Sequence, residues 1–323
     1  VVVSGVNGAH ELSTDGGATF SPISGGATGL PAGAFISIIR QDPVVADRYY
    51  AGGRTKLYRT NNNGTSWTAL DDPFGSNVFT EFAIAPSSNT TIYATSGVDL
   101  AKSTNGGTSF TDITGSLPTD QASISKIVVS NTNANKVWIT FSGYAEGHKV
   151  YKSTDGGSSW TNISAGLPNI PFTTMVYQDD SAADNIYVGG DIGVYFINNV
   201  TPSWIPHSNG LANAQVKDLR IFYNTTPNKL RAATYGRGTW QVDVITAPCN
   251  TTISEVCTSG PCLLGSGLYQ AQNTITYDGV SGDYVIRNEQ NVILSAGTGT
   301  ELTKNFGVEL GSALEINSTG CTP

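Results

Sequence analysis

Ser13-Thr14-Asp15-Gly16-Gly17-Ala18-Thr19-Phe20, Thr60-Asn61-Asn62-Asn63-Gly64-Thr65-Ser66-Trp67, Ser103-Thr104-Asn105-Gly106-Gly107-Thr108-Ser109-Phe110 and Ser153-Thr154-Asp155-Gly156-Gly157-Ser158-Ser159-Trp160 are near copies of one octad. A fifth, Ile197 to Trp204, keeps only Asn199, Ser203 and Trp204, and the starts lie 47, 43, 50 and 44 residues apart. Each octad carries its own physical logic. The Asp or Asn at position three (Asp15, Asn62, Asn105, Asp155) can accept hydrogen bonds from backbone N–H groups of its own turn. Gly at position five permits a positive φ. The closing aromatic (Phe20, Trp67, Phe110, Trp160, and Trp204 in the fifth) is expected to pack between sheets and bury roughly 150–250 Å². Nothing in the octad is poised as a nucleophile or base, so these residues read as structural.

The rest of the chain keeps the same beat. Alternating apolar runs begin at Phe35, Phe79, Ile124, Phe172 and Val216. After a turn come second strands at 48–52, 91–95, 136–141, 185–189 and 229–234. Third strands at 56–59, 99–102, 149–152 and 193–196 run into the octads, and the closing aromatic opens a fourth. Four short antiparallel strands every 45 or so residues are the period of a β-propeller blade. The fold class is therefore all-β: a propeller of about six blades over residues 1–246. The first blade shows only second, third and fourth strands, and the last only first, second and third. Unpaired sheet edges are costly to leave open, so an upstream part of the same protein, or another chain, is expected to complete the ring.

The octad Ser-x-Asp-x-Gly-x-Thr-Trp resembles the Asp-box of sialidase-like (BNR-repeat) propellers. It is also similar to the box of sortilin-like receptors, xyloglucanases and photosystem assembly factors. Phe141-Ser142-Gly143-Tyr144 with Lys149 to Gly157, and Ile186 to Tyr195, look like sortilin-type blades. Leu230 to Trp240 resembles the last blade of such propellers in secreted Bacteroidetes proteins. A sialidase resemblance implies an arginine triad, whose first member sits in a Phe/Tyr-Arg-Ile-Pro motif; that motif is missing here, and the eight arginines do not assemble into a triad. A xyloglucanase resemblance implies two carboxylates across a cleft; Asp71, Asp72, Asp99, Asp120, Glu146 and Asp191 supply a reservoir of loop acids, not a constellation.

In a propeller the turns between second and third strands share one face, and the boxes sit on the other. The longest such turn is Gly143-Tyr144-Ala145-Glu146-Gly147-His148, which joins an aromatic, an acid and an imidazole. Tyr144, Glu146 and His148, with Arg54, Asp191 and Arg237 on neighbouring blades, are the candidate ligand-binding residues for a glycan or peptide. Three scattered histidines make no metal site, and no cofactor motif is read.

Composition limits the partners. Charged residues are 13% of 323 and the net charge is −8, which argues against a nucleic-acid binder. No run of about 18 apolar residues suggests a transmembrane helix. All four cysteines lie in the last 75 residues. Their even count and lack of metal-ligand spacing suit disulfides and an oxidising, exported setting, with four free thiols as the alternative. Of three possible pairings, Cys249–Cys257 and Cys262–Cys321 are expected.

Residues 247–267, rich in Pro, Gly, Ser, Thr and Cys, read as a linker. From 268 to 323 short β runs with new spacing (274–277, 284–287, 292–294, 306–310, 313–316) indicate a small parallel stack. Tyr269 to Ile275, Val292 to Gly299 and Phe306 to Ile316 resemble the coat-hanger stack module that accompanies type IX secretion in Bacteroidetes. The resemblance implies a secreted or cell-surface protein. Asp180-Ser181-Ala182 matches the Bacteroidetes O-glycosylation acceptor, making Ser181 a candidate. The functional expectation is a non-catalytic binding or structural module for glycan or protein contact. The alternatives are a glycoside hydrolase of sialidase or xyloglucanase type, and a sortilin-like peptide receptor.

Overall fold

The computed structural model describes residues 1–245 apart from short gaps at 6–8, 26–27, 32–37, 76, 180, 182, 200–202, 209, 212 and 226. Beyond 245 it describes the backbone of the strands named below. Six antiparallel sheets follow one another along the first 245 residues. The third is typical: Glu81–Ala85, Ser88–Thr95, Leu100–Ser103 and Thr111–Asp112 pair in chain order. The protein is a six-bladed β-propeller. The first blade has Val2–Ser4, His10–Leu12 and Ser21–Pro22; the last has Val216–Phe222, Lys229–Thr234 and Thr239–Asp243. These are the three-stranded sets read from the sequence. Phe35 lies outside the described residues; the inner strand of blade two is described as Ile39–Gln41.

The octads perform as their chemistry requires. In blade four Ser153 Oγ donates to Asp155 Oδ1 at 2.8 Å and accepts from Gly157 N at 2.8 Å, while Ser159 N donates to Asp155 Oδ1 at 2.9 Å. Asp15, Asn62 and Asn105 take the same three-point geometry. The Ser159 hydroxyl, which donates to Asp155 Oδ2, together with Ser159 N and Ser153 Oγ, holds the Asp155 carboxyl down at about 2. The position-five glycines have φ of 100°, 85°, 85° and 92° (Gly17, Gly64, Gly107, Gly157). They serve a second purpose. A Cβ at Gly64 would lie 2.4 Å from Ile23, at Gly107 2.7 Å from Leu70, and at Gly157 2.4 Å from Ile113. Each of these partners follows the fourth strand of the preceding blade, so the box turn seats directly on its neighbour.

The closing aromatics fasten the same joint. Trp67 Nε1 donates to Ile23 O at 2.6 Å, Trp160 Nε1 to Ile113 O at 3.2 Å, and Trp204 Nε1 to Ile163 O at 2.6 Å. Phe110, lacking a ring donor, lies partly buried, and its backbone N donates to Asp71 Oδ2 of blade two at 3.1 Å. Phe20 departs from expectation: it is 39% exposed. The aromatic packs on the sheet before its own, and among the described residues blade one has none. Five apolar clusters lie between consecutive blades, from Leu12–Ile23–Trp67 through to Tyr187–Val216–Leu230.

Inner strands of blades four to six each slip register by a bulge, at Ser125, Thr173 and Lys217. Two of these bulges reach across to the next blade: Ser125 Oγ lies 2.6 Å from Phe172 O, and Thr173 Oγ1 2.8 Å from Val216 O. Bulges re-aim a side chain that regular pleating would send elsewhere.

The C-terminal stretch pairs in parallel. Asn250–Val256, Gly267–Asp278, Asn291–Ala296 and Ala313–Asn317 form one sheet, with Gly299–Leu302 also on Gly267–Asp278; Cys262–Leu263, Tyr284–Ile286 and Phe306–Val308 form another. This is the parallel stack anticipated. The stretch read as a linker, 247–267, carries two of its strands. Its Thr251-Thr252-Ile253 run is β-branched, and that preference outweighs the Gly and Pro nearby. The cysteine side chains, and with them both proposed pairings, lie outside the described residues. Ser181 is half-buried and its Oγ accepts from Ala183 N and Asn185 N at 3.2 Å each; Asp180 and Ala182 of that acceptor motif lie outside the described residues.

One buried group stands apart. His207 is fully buried among Tyr187, Phe196 and Trp240, between blades five and six. Neither ring nitrogen has a hydrogen-bond partner. Burial pushes its pKa down to about 4, and the Asp243 backbone opposes this without closing a bond.

Two outcomes follow from these joints. Trp67→Ala should cost about 3–5 kcal/mol in urea unfolding, through lost burial and a cavity, whereas Phe20→Ala should cost about 1 kcal/mol or less. The unfolded chain protonates His207 near its ordinary value and the native chain only near pH 4. Between about 6.5 and 4 the unfolded state therefore binds more protons, and stability falls as pH drops, by about 3 kcal/mol in full. His207→Leu should flatten that part of the stability–pH curve.

Candidate functional site

The turns between second and third strands define one face, and they are held firmly. Phe79 N donates to Arg54 O at 3.2 Å, and Ile124 N to Gly97 O at 2.8 Å, so each turn is tied to the start of the next blade. Gln215 Nε2 donates to Asp191 Oδ1 at 2.6 Å, and Tyr235 N to Gln215 O at 2.8 Å, linking the turns of blades five and six. The turn of blade four is pinned at both ends. Lys149 Nζ donates to Gly143 O at 2.8 Å and Asn162 Nδ2 to Gly147 O at 2.8 Å. Burial lowers the Lys149 pKa, with Glu146 pulling the other way. The left-handed backbone at Gly143 and Gly147, φ 108° and 73°, makes the tight path available.

That framework displays apolar side chains. Val98 is 43% exposed, Tyr144 69%, Ile192 45% and Tyr235 74%, one on the equivalent turn of each of blades three to six. Large apolar groups are thus exposed on the same face of four successive blades. Tyr144 was legible in the sequence. Val98, Ile192 and Tyr235 were not, although each stands beside Gly or Asp at the same phase of the repeat. Lys217 Nζ sits 5.7 Å from the Tyr235 ring centroid, which steadies an exposed aromatic.

The other sequence candidates divide. Arg54, Glu146 and Arg237 are exposed on these turns, and Asp191 is half-buried there. His148 is turned inward: Nδ1 lies 2.6 Å from Tyr151 Oη and the rings stack at 6.2 Å and 7°. Through that contact it is tied to the base of the turn.

Charged side chains missed by the sequence reading converge where the inner strands meet. Arg40, Lys126, Asp218 and Arg220 line a central cavity of about 200 Å³ with Met175, Val176 and neighbours. Glu81 is buried and ion-paired to both Arg40 and Lys126, the latter at 3.1 Å. Burial would raise its pKa, but the two cations outweigh that and hold it below the usual carboxylate range. The alternation that places these residues inward is ordinary strand period; their pairing across three blades required those blades to pack side by side.

Residues 55–190 match the family described as Sortilin-Vps10 (sortilin, neurotensin receptor 3). A comparison with curated proteins finds no sequence match. Among solved structures the chain is similar to a GH74 enzyme from Niastella koreensis, at 21% identity and TM-score 0.57, over 74% of this chain and 41% of that one. It is similar to YCF48 from Cyanidioschyzon merolae, at 14% and 0.52, over 75% and 77%. It is also similar to the extracellular domain of a putative one-component system from B. thetaiotaomicron, at 15% and 0.52, over 73% and 30%. The chain spans well under two thirds of the GH74 enzymes it matches. These likenesses show the propeller fold. Among the described residues no helix is long and apolar enough to cross a membrane.

Glu81→Gln should destabilise the propeller by about 3–5 kcal/mol, because Arg40 and Lys126 lose their buried counter-charge. In thermal or urea unfolding, Glu81→Leu combined with Lys126→Met should recover much of that loss.

Proposed function

We propose that this propeller is a non-catalytic binding module of an exported, cell-surface protein, contacting a protein or glycan through its second-to-third strand turns. The observation that carries the reading is the series Val98, Tyr144, Ile192 and Tyr235, exposed on the second-to-third strand turns of four successive blades. Aliphatic and tyrosine side chains on turns already ordered by hydrogen bonds lose little entropy on binding. Arg54, Glu146 and Arg237 supply a polar rim. The aliphatic members favour a protein over a glycan partner.

The likeness to sortilin and to an extracellular sensor domain supports binding and export. The carriage of the chain by a type IX system in a Bacteroidetes cell, and the coat-hanger identity of the C-terminal stack, belong to this proposal as well. So does completion of the ring: among the described strands the first sheet lacks an inner strand and the last an outer one, and a further segment of the protein or another chain would supply them.

The test joins binding and turnover. An extract of surface proteins and a glycan array should yield saturable binding to the wild-type protein. Tyr144→Ala with Tyr235→Ala should weaken it by about tenfold or more with unchanged melting. Turnover of fluorogenic sialosides or xyloglucan oligosaccharides, abolished by Glu146→Gln or Asp191→Asn, would instead establish a hydrolase.

A further inference from the structure

A cavity stands beside the fifth octad, on the face where the other boxes seat. In blades three and four the box turn caps a cation lying by an aromatic ring of the preceding blade. Arg59 Nη1 lies 3.5 Å from Gly106 O, with Tyr50 beside the same glycine, and Gly156 sits against Lys102, itself 5.5 Å from the Tyr93 ring. Lys152, 5.4 Å from the Trp138 ring, is the counterpart in blade four. The blade-five octad has Val200 and Thr201 where the intact boxes have their left-handed pair. β-branched residues pay heavily for that backbone. Trp138, Lys152 and Ile163 line a cavity of about 360 Å³, with Asp184, Asn162 and Asn199 also on its wall.

The charges decide what it holds. Asp184 is neutralised by Lys136 at 2.8 Å and accepts from Asn199 Nδ2 at 2.7 Å. Lys152 Nζ donates to Asn199 Oδ1 at 3.2 Å, lies 5.4 Å from the Trp138 ring centroid and lines the cavity. The three charges leave one positive charge over an apolar floor of Trp138, Ile163, Ile186 and Ile197. A mostly apolar pocket of this size with a few convergent polar groups is the ordinary form of a small-molecule site.

We propose that this cavity binds a small organic anion, an apolar body bearing one carboxylate, with Lys152 on the carboxylate and Trp138 and the isoleucines against the body. It lies on the box face, opposite the exposed turns, and stands independently of the function proposed above.

Nuclear magnetic resonance shift mapping with phenylacetate tests it, with neutral phenylacetamide as the comparison. Phenylacetate should shift amides around Lys152, Asn162 and Asn199 saturably, with a Kd of about 1 mM. Phenylacetamide should bind about tenfold more weakly, and Lys152→Met should erase that preference. Ala165→Trp, at the exposed mouth, should block phenylacetate while leaving the remaining spectrum folded. Absence of shifts at these amides up to about 10 mM phenylacetate, or equal binding of acid and amide, would overturn the proposal.

Discussion

The seat of each box turn on the preceding blade is the constraint on which the propeller depends. Three demands meet in eight residues. The carboxylate or amide at position three ties the turn, the glycine at position five removes the Cβ that would strike Ile23, Leu70 or Ile113, and the tryptophan crosses to a backbone carbonyl of the same neighbour. A turn that only closed a hairpin would need the first of these. The other two exist because blades must approach one another at the wide outer end of a radial sheet, where strands alone leave space.

At the narrow inner end the problem reverses, and the side chains there are small or paired. Ser125 and Thr173 bulge and bond to the next inner strand, and Glu81 sits between two cations. A buried ion triad is a poor source of stability compared with an apolar core. It does hold three blades in one rotational arrangement, since each charge has its partner only when the inner strands are in register.

The two faces have different tasks as a result. The box face is committed to packing, and the cavity lined by Trp138 and Lys152 lies on it. The opposite face carries turns that no packing demand reaches beyond their hydrogen-bonded bases. Their tips are free to present Val98, Tyr144, Ile192 and Tyr235. That division leaves the turn face open to vary, on a fold whose similar structures include a GH74 enzyme and the extracellular domain of a putative one-component system.

The repeat alone determined the class, the blade count, the order of strands and the residues of the boxes. Those properties are local: a two-residue alternation, a glycine turn and a fixed period need no distant partner to be recognised. The parallel stack was legible for the same reason, although a β-branched run inside the supposed linker was outweighed in that reading by neighbouring Gly and Pro. Tertiary structure decided what distance in sequence conceals. Phe20 is exposed because no described sheet precedes it; Glu81 meets Arg40 and Lys126 from other blades; and Trp138 and Lys152 line a cavity with Asn199, 47 residues on from Lys152. Each of these depends on which blade lies beside which, and the radial packing of sheets, not the period of any one strand, sets that neighbour.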